Sequence, residues 1–170
     1  MKGYLGLGSN VGDRRESLQA AVDALVAAGV EVVASSSMYE TDPVGEVLDQ
    51  PDFLNGAIEI DTELGPEGLL DVVKEVEATL GKTLAGEEGY VHHGPRPIDI
   101  DLLLLGDEEF ESERLKLPHR EVLQRRFVLI PLLELDFDLR TPGGDSLAGA
   151  LAAMPVTEGV RRAGPPLRVT

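Results

Sequence analysis

Cysteine and tryptophan are absent from these 170 residues, and aromatic side chains make up only 4% of them. Without thiols there is neither a disulfide scaffold nor a thiolate metal site, and the chain fits a reducing cytoplasm. With so few rings, the core has to be built from Leu, Val, Ile and Ala. Long apolar runs are also missing: no stretch approaches the roughly 20 residues that span a bilayer, and the opening MKGYLGLG lacks the apolar segment of a secretory leader. A cytoplasmic protein with no membrane contact is expected. Basic residues are scarce, 15 Lys and Arg against 31 Asp and Glu, for a net charge of −16. That balance argues against a nucleic-acid partner, because phosphate backbones require a net basic surface. It leaves room for an anionic small molecule, since a few arginines can make a local positive cleft on an acidic body. Only Lys2, Arg14, Arg15, Lys74 and Lys82 precede residue 96; the other basic residues lie from Arg96 onward.

Apolar residues, 42% of the chain, suffice for one buried core at this length. Residues 1–170 are therefore read as a single monomeric domain with an irregular tail from about residue 156. Gly3 to Gly8 predicts a short buried strand that ends in a Gly-Ser-Asn turn. Asp13 stands three residues before Glu16, the spacing of an N-cap. Leu18, Ala21, Val22, Leu25 and Val26 follow at helical spacing until Gly29. Residues 30–41, VEVVASSSMYET, predict one long strand, and Pro43 and Gly45 make 42–49 a loop. Residues 53–61 alternate, with Leu54, Gly56, Ile58 and Ile60 to one side and Phe53, Asn55, Ala57 and Glu59 to the other. Pro66 opens a second helix carrying Leu69, Val73, Val76 and Leu80, which Gly81 ends.

Residues 82–97 predict a long loop and 98–105, IDIDLLLL, a strand whose apolar flanks give it a central look. The acidic run from Asp107 to Glu113 reads as a solvated excursion or hairpin. Phe127–Leu135 reads as a helix, and Asp145 or Ser146 as the start of a short last one. The order β-α-β-β-α-β is that of the ferredoxin-like split motif. The expected fold is an α+β, ferredoxin-like α/β sandwich: a central antiparallel sheet, two helices on one face and the C-terminal helices on the other.

Two phosphate-site resemblances fail on spacing. Gly6-Leu7-Gly8-Ser9-Asn10-Val11 has Val11 where a dinucleotide fingerprint needs its third glycine. Gly81-Lys82-Thr83 has Val76 where a P-loop needs its first. His92 and His93 are adjacent, so their side chains diverge and make a poor metal pair. His119 lies among Arg120, Arg125 and Arg126, a cationic neighbourhood suited to an anion. Asp99 and Asp101 are the sharper signal. Two apart on a strand, they share a face roughly 6.5–7 Å apart along the chain. Two carboxylates so placed suit a hard divalent cation held together with phosphate oxygens, and Arg96 can add a phosphate contact beside it.

The phrase GPRPIDIDLLLLG at 94–106 resembles the signature of the 6-hydroxymethyl-7,8-dihydropterin pyrophosphokinase family of folate biosynthesis. So do LGLGSNVGDR near the start, YETDPVG at 39–45, QPDFLNGA at 50–57, Glu77 before Leu80-Gly81, and LPHREVLQRRFVLIPLLEL at 117–135, all in the family's order. The resemblance implies transfer of the terminal pyrophosphoryl group of ATP to the pterin hydroxymethyl oxygen. By the same resemblance Asp99 and Asp101 hold two Mg²⁺ ions and act with Arg96 in catalysis. Thr41, Pro43, Val44, Phe53, Asn55 and Phe127 surround the pterin, and Glu77, Arg96, Leu102, Arg114, His119 and Arg125 lie near ATP. One departure is local: the family carries several arginines and a Trp before the GPR segment, whereas KTLAGEEGYVHH here is acidic, with Lys82 its only fixed cation. A non-catalytic pterin- or nucleotide-binding relative with an altered phosphate loop is the alternative this departure leaves open.

Overall fold

Strands with one apolar face and helices with one apolar stripe are stable only when those surfaces meet, and here they meet in three layers. The computed structural model describes residues 1–41, 52–81, 98–155 and 159–169. In chain order the elements are β1 (Lys2–Ser9), α1 (Arg14–Ala27), β2 (Glu31–Ser35), β3 (Met38–Thr41), β4 (Phe53–Asp61), α2 (Pro66–Thr79), β5 (Asp99–Leu105), β6 (Phe110–Glu111), β7 (Lys116–Leu117), α3 (Arg126–Leu135), α4 (Leu147–Ala152) and β8 (Val160–Gly164). The main sheet runs β5-β1-β4-β3-β8, with β2 also on β4, and all its pairings are antiparallel. Leu18, Ala21, Val22 and Leu25 of α1 and Leu69, Val73 and Val76 of α2 close one face over Leu5, Leu7, Ile58 and Ile60. Leu129, Leu132 and Leu133 of α3 and Leu147 of α4 close the other, over Tyr4, Ala57 and Leu103. The expected two-sided cover is present.

Local signals act as anticipated at several points. The Asp13 side chain caps α1 by accepting from the Glu16 amide at 3.1 Å, and the Ser146 hydroxyl caps α4 by accepting from Gly149 at 3.1 Å. The acidic excursion is a hairpin, β6 with β7.

Four expectations are corrected. Residues 30–41 form two strands, because the serines between them satisfy their own backbone and break the ladder. Ser36 exchanges hydrogen bonds with Ala57 through both its amide and its hydroxyl, each at 2.9 Å. The Ser37 amide and hydroxyl donate to Glu134 of α3, at 2.8 and 3.0 Å. Tyr39 donates to the same carboxylate at 2.7 Å; burial and then Glu134 push its pKa up to about 12. Second, among the described residues β5 is an edge strand, not a central one. Its apolar residues are covered by helices and by the 117–123 segment instead of by a further strand. Third, Val26 is 46% exposed and not part of the helix's buried stripe.

The fourth correction concerns the tail. Residues 159–169 are regular in part: β8 pairs with β3, and the chain then runs back along α1. Arg15 donates to the carbonyls of Pro165 and Pro166 at 2.8 and 3.0 Å. Gln19 and Arg168 exchange two hydrogen bonds at 2.8 and 2.9 Å, and Leu167 is buried in the α1–α2 core.

Candidate active site

The residues of interest stand on the sheet face beneath α3, and glycine decides what fits there. Across that face, Asp99 of β5 pairs with Gly8 of β1, and Gly8 pairs in turn with Asn55 of β4. One step along, Asp101 pairs with Gly6, and Gly6 with Ala57. Neither glycine has a side chain to fill the space, so carboxylates on one side and an amide on the other face each other across a bare strand. At ordinary strand spacing, Asp99 and Asn55 are about 10 Å apart, two strand widths.

The result is a cleft of about 280 Å³ lined by Gly6, Gly8, Thr41, Phe53, Asn55, Asp99, Asp101, His119, Arg125 and Phe127, among others. Most of the expected residues are thus brought together. Asn55 is buried, and its side-chain amide donates to the Thr41 hydroxyl at 2.6 Å. That bond sets the orientation of the amide, with Oδ1 over Gly8: a β-carbon at Gly8 would lie 2.7 Å from it. Phe127 stands at the start of α3 with the Arg125 guanidinium 5.5 Å from its ring centre. Arg125 is also paired with Glu121 at 2.6 Å.

A second cleft of about 370 Å³ lies beside the first, lined by Leu70, Lys74, Leu102, Arg114, Lys116 and Arg120, among others. The two share Asp101, His119 and Glu121. Arg114 faces α2, forked between Glu67 at 2.8 Å and Asp71 at 2.7 Å. The hydrogen bond to Asp71 holds its pKa above the ordinary value. This fork fastens the 110–117 hairpin to α2 and forms one wall of the cleft.

Glu77 lines neither cleft. It is fully buried beneath β5, where its carboxylate accepts from the Ile100 amide at 2.8 Å and lies 3.3 Å from the Lys74 ammonium. Among the described residues β5 has no ladder partner on that side for Ile100, the residue between the two aspartates. Glu77 supplies the acceptor and fixes the strand there. Pro43, Val44 and Arg96, with Lys82, His92 and His93, lie outside the described residues.

His119 follows a cis Leu117–Pro118 bond. Its amide donates to the Leu103 carbonyl at 3.0 Å, and its Nδ1 accepts from the Glu121 amide at 3.1 Å. The proton of the neutral ring therefore sits on Nε2. Burial lowers its pKa below the ordinary 6.5. Because the folded value lies below the unfolded one, the neutral ring contributes stability above about pH 6.5, and this is lost as pH falls through the lowered value. Thermal unfolding of His119→Gln is expected to show a smaller loss on acidification below pH 6.5 than the parent. An equal or larger loss would contradict the assignment.

The sequence reading missed Gly6 and Gly8 as the floor of the site, although their i, i+2 spacing put both on one face. It also missed Lys74, Lys116 and Glu121, which no local pattern distinguishes from ordinary surface charge, whereas Arg120, expected in a cationic neighbourhood with His119, does line the second cleft. Gly8→Ala is expected to keep the fold, since its backbone is extended within β1. The new methyl group must displace Asn55, so the Michaelis constant of any ligand held by that amide should rise about tenfold. Steady-state kinetics on the variant would check this, and an unchanged constant would remove Asn55 from recognition.

Asp99 and Asp101 fit a magnesium ion by their donor chemistry. They are two hard oxygen ligands on one face opposite side-chain-free glycines, with room for the waters and phosphate oxygens that Mg²⁺ retains. Among the described residues no cluster of three or more His, Cys, Asp or Glu could hold a metal.

The family described as 7,8-dihydro-6-hydroxymethylpterin-pyrophosphokinase (HPPK) matches residues 4–137. A 2-amino-4-hydroxy-6-hydroxymethyldihydropteridine pyrophosphokinase from Methylorubrum extorquens is 47% identical over 90% of this chain and 93% of its own. The Pseudomonas aeruginosa protein of the same name is 42% identical over 94% of each chain. Among solved structures, wild-type Plasmodium falciparum HPPK-DHPS is similar in fold, with a TM-score of 0.65 at 13% identity over 89% of this chain. The present chain spans only 40% of that longer one.

Proposed function

The chain belongs to the 7,8-dihydro-6-hydroxymethylpterin-pyrophosphokinase family and is a pyrophosphokinase of folate biosynthesis acting on hydroxymethyldihydropterin; we propose that ATP is its donor, two Mg²⁺ ions its cofactor, and the two clefts its substrate sites. The observation that carries this reading is their junction. A reaction between a pterin alcohol and a nucleotide needs two pockets that meet at the transferred group, and the two clefts share Asp101 and His119.

In this reading the pterin lies over Gly6 and Gly8. The Asn55 amide, held by Thr41, hydrogen-bonds the ring edge, while Phe53 and Phe127 pack on its faces. Pro43 and Val44 complete that side by resemblance. The nucleotide occupies the second cleft against Leu102, with Arg114 in its wall and Glu77 beneath, and His119 offers its Nε2–H to a phosphate oxygen. Arg125 and Arg96 add charge-assisted contacts to the phosphates. When bound, Mg²⁺ supplies charge neutralisation and alignment of the triphosphate, and Asp99 and Asp101 would hold it. The hydroxymethyl oxygen then attacks the β-phosphorus, the bond from that phosphorus to the oxygen shared with the α-phosphate breaks, and AMP leaves with release of the hydroxyl proton. The protein's part is positioning: both substrates are fixed on rigid strands and end within reach of one pair of carboxylates. We place the enzyme in the cytoplasm as a monomer, one domain over residues 1–170.

A coupled assay tests the reading. With ATP, Mg²⁺ and the pterin alcohol, AMP should form in step with the pterin diphosphate. AMP release without the pterin, or full turnover in excess chelator, would overturn it.

A further inference from the structure

Outside both clefts, four charged residues gather at the corner where β3 leaves the sheet and β4 enters it. Arg161 of β8 reaches the Asp52 carboxylate at 3.1 Å. Arg14, at the start of α1, donates to the Asp52 carbonyl at 3.0 Å and lies 3.4 Å from Glu40. Register explains the gathering. Arg161 pairs across the sheet with Glu40 and Val160 with Thr41, while Thr41 also pairs with Phe53, the residue after Asp52. The two carboxylates thus immediately precede, in sequence, two side chains that line the first cleft. Each is met by an arginine from an element remote along the chain.

We propose that β8 and Arg161 form a clamp that aligns the pterin-binding half of the cleft, making Arg161 a positioning residue for the reaction. This rests on the reading that Thr41, Phe53 and Asn55 receive the pterin. Thr41 and Asn55 act as one unit through their 2.6 Å hydrogen bond, so their relative placement depends on how β3 sits on β4. At this corner β3 pairs with β4 on one side and with β8 on the other, and the clamp ties Asp52 of the β4 side to Arg161 of the β8 side. The tail beyond it does a different task. Leu167 in the core and the Arg15 and Gln19 hydrogen bonds anchor β8 to α1, which makes that part a matter of stability.

The two roles separate experimentally. Arg161 is half exposed, and an exposed ion pair adds little to global stability. Arg161→Ala should therefore leave the melting temperature within about 2 °C of the parent. It should raise the Michaelis constant for the pterin alcohol about two- to fivefold, with kcat and the constant for ATP unchanged. Arg161→Lys, which keeps the charge within reach, should restore most of the pterin constant. Leu167→Ala should instead lower the melting temperature. Asn55→Ala serves as the control for the site itself. If Asn55→Ala weakens the pterin and Arg161→Ala does not, the clamp is wrong and the site stands. If neither changes the pterin constant, the site reading fails and the clamp falls with it. An Arg161→Ala effect that Arg161→Lys does not reverse, or that appears equally in the ATP constant, also overturns the proposal.

Discussion

Replacing Asp101 by Ala is expected to lower single-turnover formation of AMP by about three orders of magnitude or more at saturating Mg²⁺. Asp99→Ala should match it. The size follows from what each carboxylate does. Phosphoryl chemistry gives a protein little to contribute besides position and charge neutralisation, and here two carboxylates on one strand face provide the metal's only proposed protein ligands. Losing one leaves triphosphate charge uncompensated where the two substrates meet. Each factor of ten in rate corresponds to about 1.4 kcal/mol of barrier, so the effect amounts to about 4 kcal/mol. The fold should survive, because Asp101 is exposed, Asp99 only half buried, and the residues across from both are glycines. The checks are rapid-quench measurement of AMP and thermal unfolding on the same samples. Near-parental turnover in either variant would remove that residue from the metal site. Loss of the melting transition would show that it has a structural role instead.

Glu77→Ala is expected to act on both stability and turnover, without touching either substrate. The carboxylate is fully buried and accepts from the Ile100 amide. Its removal strands a buried N–H, at a cost of about 1–3 kcal/mol. The partnership with Lys74 goes too, although Lys74 is half exposed and this part is reduced by solvent screening. In a domain of this size such a loss lowers the melting temperature by about 2–12 °C. Because Ile100 lies between Asp99 and Asp101, a strand that loosens there also misplaces both ligands, so the Mg²⁺ requirement should rise along with the fall in kcat. Glu77→Gln separates the contributions: its amide oxygen can still accept from Ile100, so it should recover most of the kcat lost in the Ala variant. Calorimetric unfolding and Mg²⁺ titrations of both variants test this. A Gln variant as impaired as the Ala variant would mean that the negative charge matters, not the hydrogen bond to the strand.

The carboxylates of Asp99 and Asp101 differ from that of Glu77 in how far the sequence reveals them, for a physical reason. Asp99 and Asp101 were legible because a strand's two-residue period puts them on one face whatever surrounds the strand. Glu77 was legible only as a position shared with a family. Its burial and its acceptance from Ile100 depend on where α2 crosses the edge of β5, a placement that no helical period encodes. The glycines were half legible. Their alternation predicted a strand ending in a turn, but that Asp99 and Asn55 stand on either side of Gly8 is a matter of strand order.

Local period, caps and ordered motifs carry the class of fold, most element positions, the paired carboxylates and the family, and all of these are present in the chain before it folds. Packing in three dimensions sets which described strand is an edge, how the serines split residues 30–41, and that the tail returns as β8. It also decides that Asn55 meets Thr41, that two clefts share Asp101 and His119, and that Arg161 reaches Asp52, 109 positions away. These depend on register between segments far apart along the chain. A polar residue's partner is then set by the packing of apolar faces elsewhere, and a single sequence carries that information only collectively.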